Sequence, residues 1–115
     1  MLNLLRFRDV ADYSDHPDLA PVDPISGRDA YIKYVEHTIP YLKDSGGEIL
    51  HIGEGGSYLI GPEDSGWDMA MLIRQSSVDS FMTFASNEDY LVGIGHRVAA
   101  VSDSRILPLT DLLLK

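Results

Sequence analysis

Apolar residues recur along the chain in two rhythms. Over residues 1–8, "MLNLLRFR", they alternate. Met1, Leu5 and Phe7 share a face with Asn3, while Leu2 and Leu4 take the other, which predicts a strand. From Ser26 the period becomes helical. Tyr31, Tyr34, Val35, Thr38, Ile39 and Leu42 make one broad stripe, capped by Ser26 with Asp29 three residues on, and Gly46-Gly47 end it. Pro40 lacks an amide donor and is expected to kink or break the last turns. "EILHIGEGGSYLIG" then reads as two short strands split by Gly53, Gly55 and Gly56, with a bend or bulge at the glycines. "WDMAMLIRQ" alternates again: Trp67, Met69, Met71 and Ile73 on one face, Ala70 and Leu72 on the other. Ser76 or Ser77 caps a short helix, "VDSFMTFAS", and Asn87 opens a longer one. "SRILPLTDLLLK" closes the chain as a strand that Pro108 marks as an edge or a bulge.

The order is βαββαβ, an α+β ferredoxin-like arrangement with a four-stranded antiparallel sheet, expected as one domain over residues 1–115. Between the first strand and first helix, "DVADYSDHPDLAPVDPISG" carries Asp9, Asp12, Asp15, Asp18 and Asp23 with no basic residue. It is expected to be a surface loop over about residues 9–25, poorly anchored or touching a partner. Its acids and His16 lack the glycine turn and closing Glu of a calcium loop, so no metal site is expected. Strands 1–8 and 67–75 are apolar on both faces, yet helices cover only one face of such a sheet. A second copy, giving a homodimer, is the simplest cover for the other.

Composition narrows the partners. Eighteen acids against nine bases give a net charge of −9, which disfavours nucleic acid and anionic membrane. With no cysteine, disulfides and thiolate metal sites are excluded. No apolar run approaches the roughly 20 residues of a bilayer span, and "MLNLLRFRDV" lacks signal-peptide character, so a cytoplasmic location is expected. The GEGG run lacks the Lys-Ser/Thr of a phosphate loop and the helix that should follow one, and no cofactor is expected.

Segments "YIKYVEHTIPYLKDSGGEIL", "GWDMAMLIRQSSVDSFMTFASNEDY" and "HRVAAVSDSRILPL" resemble, in order and spacing, the domain-of-unknown-function family 1330. The likeness runs from about residue 28 to residue 110 and leaves out the acidic loop. It implies a ferredoxin-like protomer of the dimeric α+β-barrel superfamily, whose sheets face each other. It implies no particular reaction: that superfamily holds cofactor-free monooxygenases, isomerases, dehalogenating and haem-degrading enzymes, and proteins with no known catalysis.

Candidate chemistry gathers around "NEDYLVGIGHR". On one helix Arg97 aligns with Tyr90 and Gly93, while His96 falls with Val92, Ala99 and Ala100, and the two flank a core stripe of Leu91, Ile94, Val98 and Val101. Gly93 and Gly95 each cost about 1 kcal/mol of helix propensity, which close approach of a backbone or ligand would offset. In the functional reading Arg97 anchors a carboxylate or enolate and His96, titrating near neutrality, shuttles a proton. In the bland reading Arg97 pairs with Asp103 or Asp89, and His96 fills an interface. Asn3 and Trp67 on the sheet, with Tyr90 and Arg97, are the expected ligand contacts. His51 reads as a sheet histidine and His37 as a solvated one. Two functions stay open: a cofactor-free enzyme acting on a small metabolite, and a non-catalytic dimeric module that binds a ligand or partner.

Overall fold

Alternation in the first strand sets the layers. The computed structural model describes residues 1–114, and β1 (Leu2–Phe7) buries Asn3 and Leu5 on one side while Leu2 and Leu4 stay part-exposed on the other. The remaining elements are α1 (Gly27–Asp44), β2 (Glu48–Ser57), β3 (Gly66–Arg74), α2 (Val78–Ala85), α3 (Glu88–Leu91), α4 (Ile94–Ala100) and β4 (Val101–Leu107). The sheet runs β2-β3-β1-β4 and every neighbouring pair is antiparallel. This is the ferredoxin-like order. The core joins Leu5, Met69 and Met71 of the sheet to Tyr31, Tyr34, Phe84, Tyr90 and Ala99 of the helices, so the helices share one face. Among the described residues no helix is long and apolar enough to cross a membrane.

Local caps form as the side chains dictate. Ser26, Ser77 and Asn87 each accept a backbone N–H from the residue three positions on. Other expectations need correcting. Pro40 does not break α1, which continues to Asp44. The missing donor costs one intrahelical bond on an exposed flank, and buried Leu42 holds the last turn against the core. The glycine-rich segment is one strand, not two, and its register shift falls at Leu50 rather than at the glycines. The helix from Asn87 is interrupted around Gly93, so the expected stripe fails: Leu91 and Val98 are exposed, and Gly95, Ala99 and Ala100 are buried instead. The β4 strand begins directly after α4 as an edge strand, and Pro108 lies just beyond it.

The acidic loop is anchored, contrary to expectation. Ala11 N–H donates to Ile25 O and Asp12 N–H to Ala99 O, both at 2.9 Å, and Tyr13 is buried with its hydroxyl on His96 Nδ1 at 2.8 Å. Its charges face water while one tyrosine and a backbone pair tie it to α4. At the same junction Gly27 N–H donates to Arg8 O and Arg8 N–H to Ala100 O. A Cβ on Gly27 would strike both carbonyl oxygens, so the start of α1 can sit here only as glycine.

Candidate functional site: the cleft between sheet and helices

A cavity of about 220 Å³ opens between the buried sheet face and the helices. Its floor comes from all four strands: Asn3 on β1, Ile49 on β2, Met71 and Ile73 on β3, and Ile106 on β4. Registers explain the grouping, because Asn3 stands opposite both Met71 and Ile106. Its roof is aromatic. Tyr31 and Tyr34 of α1 are 5.3 Å apart between ring centroids, Tyr34 meets Tyr90 at 6.1 Å, and Tyr90 meets Phe84 at 4.4 Å. These are ordinary tilted and edge contacts, and they make a continuous ring wall.

Polar groups collect at one end. The Tyr34 and Tyr90 hydroxyls hydrogen-bond each other at 2.7 Å, and Arg97 Nη2 donates to Ser104 Oγ at 3.2 Å. Burial pushes the Tyr31 and Tyr90 phenols well above the ordinary tyrosine range, against a smaller opposing pull from the Arg97 guanidinium. Both are therefore neutral donors and acceptors at physiological pH. Arg97 is the one charged side chain lining the cavity, and no Asp, Glu or His lines it among the described residues. The four ion pairs among those residues lie elsewhere: Arg6–Asp103, Arg28–Glu54, Arg74–Glu48 and Arg105–Asp103. Arg97 thus pairs with neither Asp103 nor Asp89. Asn3 is buried in the floor, the one amide that β1 offers to the cavity. At the far end lie Thr38 and Gln75, whose buried hydroxyl and amide have no hydrogen-bond partner among the described residues.

Of the residues singled out from sequence, Asn3, Tyr90 and Arg97 come together in this cavity. Trp67 and His96 do not. Asp68 Oδ2 accepts from the Phe7 N–H, and the Trp67 indole lies instead under Arg6 at 4.4 Å and Arg105 at 5.6 Å, its Nε1–H donating to Tyr58 Oη. Arg6 alternates with Leu2 and Leu4, so this stack belongs to the sheet face away from the helices. His96 turns to the acidic loop and Tyr13, and burial lowers its pKa, followed by repulsion from Lys33 and His37. A proton shuttle into the cavity from His96 is ruled out by that placement.

The two helix glycines also have a different cause from a ligand. A Cβ at Gly93 would run into the His37 ring, and one at Gly95 into His16 and Leu19, both at 2.7 Å. His37 is not simply solvated: its Nε2–H donates to Asp89 O at 2.9 Å, tying α1 to α3. The residues missed were Tyr31, Tyr34, Phe81 and Phe84, read as core or passed over. Their signal was present, since tyrosines on an apolar stripe carry hydroxyls that need partners.

No protein-family model and no curated protein matches the chain. Solved structures do. The methylated RPA0582 protein superposes with a TM-score of 0.85 at 33% identity, over 97% of this chain and 78% of that one. The RPA0582 protein of Rhodopseudomonas palustris, described as of unknown function, superposes with a TM-score of 0.80 at 33% identity, over 96% and 81%. The chain belongs to the RPA0582 family. Identity at this level over most of both chains carries the fold, and the shared description names no reaction for the RPA0582 family.

Proposed function

We propose that this member of the RPA0582 family is a cytoplasmic homodimeric domain of the dimeric α+β-barrel type, akin to the domain-of-unknown-function family 1330, that binds a small metabolite in the cleft between sheet and helices. The observation that carries the reading is Arg97: a guanidinium at the wall of a largely apolar cavity with no carboxylate beside it among the described residues. A charge half-withdrawn from water calls for a counter-charge, and an incoming anion supplies it. The volume agrees. Pockets for drug-sized ligands span about 300–1,000 Å³, so 220 Å³ suits a small metabolite.

Dimerisation is part of the proposal because the outer sheet face needs a cover. Leu107, Leu2 and Leu72 stand in one cross-strand row on that face. A second reading, a cofactor-free enzyme, is favoured by the hydrogen-bonded Tyr34–Tyr90 hydroxyls beside Arg97. Neutral phenols and a guanidinium could stabilise an enolate without titrating. Among the described residues the lining offers no carboxylate or imidazole base, so binding is the better-supported function. The variant Arg97→Met tests it by keeping the fold while removing the anchor.

A further inference from the structure

The geometry points to one ligand class for the cleft: a small monocarboxylate with an aromatic body, its acid group on Arg97 and its ring among Tyr34, Phe84 and Tyr90. This inference rests on the cleft being a ligand site, as proposed above, and narrows what enters it.

Charge comes first. Among the described residues one guanidinium with no acid beside it matches a single negative charge: no second cationic side chain lines the cavity, and the ammonium of the lining residue Met1 donates to Ile73 O. Arg97 spends Nη2 on Ser104 at 3.2 Å and also faces the Tyr31 hydroxyl, which together orient the planar fork; with five N–H donors it retains others for a carboxylate. The neighbouring Tyr31 and Tyr90 phenols stay protonated, so they add donors and no competing negative charge.

Size comes next. A dry cavity of about 150 Å³ lined by aliphatic and aromatic residues holds benzene. The 220 Å³ here therefore accommodates a ring plus a carboxylate on a short stem. Shape agrees with a ring more than with a chain, because the wall is built from aromatic rings whose edges and faces favour another π-system.

Asn3 supplies the remaining discrimination. Ser104, which holds Arg97, stands opposite Leu5, two pairs along from the Asn3–Ile106 pair and so on the same sheet face. Diagonal neighbours on one sheet face are about 7–8 Å apart, so one small molecule spans the Arg97 head and the Asn3 amide in the floor. That amide would hydrogen-bond a hydroxyl or carbonyl oxygen on the ligand body.

The test uses the whole chain and four probes: phenylacetate, its neutral isostere phenylacetamide, 4-hydroxyphenylacetate and ethylbenzene, each titrated calorimetrically at neutral pH. Phenylacetate is expected to bind at least about tenfold more tightly than phenylacetamide, as a charge-assisted hydrogen bond requires. In Arg97→Met that preference should vanish while phenylacetamide binding is unchanged. The 4-hydroxyl should tighten binding in the wild type and lose its effect in Asn3→Leu. If phenylacetate and phenylacetamide bind the wild type equally, or ethylbenzene alone binds, the carboxylate class is overturned and the cleft survives as a neutral site. If phenylacetate binds with undiminished preference to Arg97→Met, the assigned anchor is wrong. If none of the four probes binds, the ligand class and the cleft reading fall together.

Discussion

At the scale of single residues, Arg97 and His96 show how one peptide bond separates two roles. Neighbours on a helix project about 100° apart, so Arg97 reaches the cavity while His96 reaches the acidic loop. Sequence reasoning saw the divergence and still assigned both to one site, because it had no means of placing Tyr13 over His96. The contact has a pH consequence. Burial lowers the folded pKa of His96 below its ordinary 6.5, so the unfolded chain takes up a proton at a higher pH than the folded one does. The contribution to stability is therefore complete above that value and is lost as pH falls toward the folded pKa. Urea melts of wild type and His96→Gln between pH 7.5 and about 5 check this. The wild type should lose stability on acidification and the variant should lose less, whereas equal slopes would show that His96 does not titrate differently on folding.

Elements that form from local interactions were legible, and those set by distant packing were not. Ser26, Ser77 and Asn87 could be read as caps because each bonds a backbone N–H only three residues away. The break between α3 and α4 could not, since it depends on His37 of α1 pressing on Gly93. Trp67 was assigned to the wrong face for the same reason: alternation assumes a regular strand, while Asp68 bonds the backbone of β1 and two arginines capture the indole. Gly27 gives the element scale its prediction. Its hydrogen to Cβ replacement would press on backbone oxygens of Arg8 and Ala100, atoms that cannot move without unseating β1 or α4. Gly27→Ala should cost about 2 kcal/mol or more in denaturant unfolding. A variant within 0.5 kcal/mol or so of wild type would show that this junction yields easily.

The molecule as a whole is less closed than its length suggests. Its radius of gyration is 15.2 Å, against about 13 Å for a compact domain near this size. Two segments expose apolar side chains: Leu59 and Ile60 at the β2–β3 turn, and Leu112, Leu113 and Leu114 beyond β4. Exposed clusters of this kind mark interaction surfaces. Together with the Leu107–Leu2–Leu72 row they extend the argument for a homodimer from the sheet face to its margins. Sedimentation at micromolar concentration should give about twice the 12.7 kDa chain mass. A monomer at that concentration would leave these leucines without a cover and remove the barrel arrangement.

The central claim is that the cleft exists to receive a ligand at Arg97, and two readings of one variant test it. Arg97 holds no acid among the described residues, so Arg97→Met should leave the melting temperature within about 3 °C of wild type. Its affinity for a small aromatic acid should fall by about 2 kcal/mol or more, because the charge-assisted bonds have no replacement. A large loss of thermal stability with unchanged affinity for that acid would contradict the account, making Arg97 a strut of the fold.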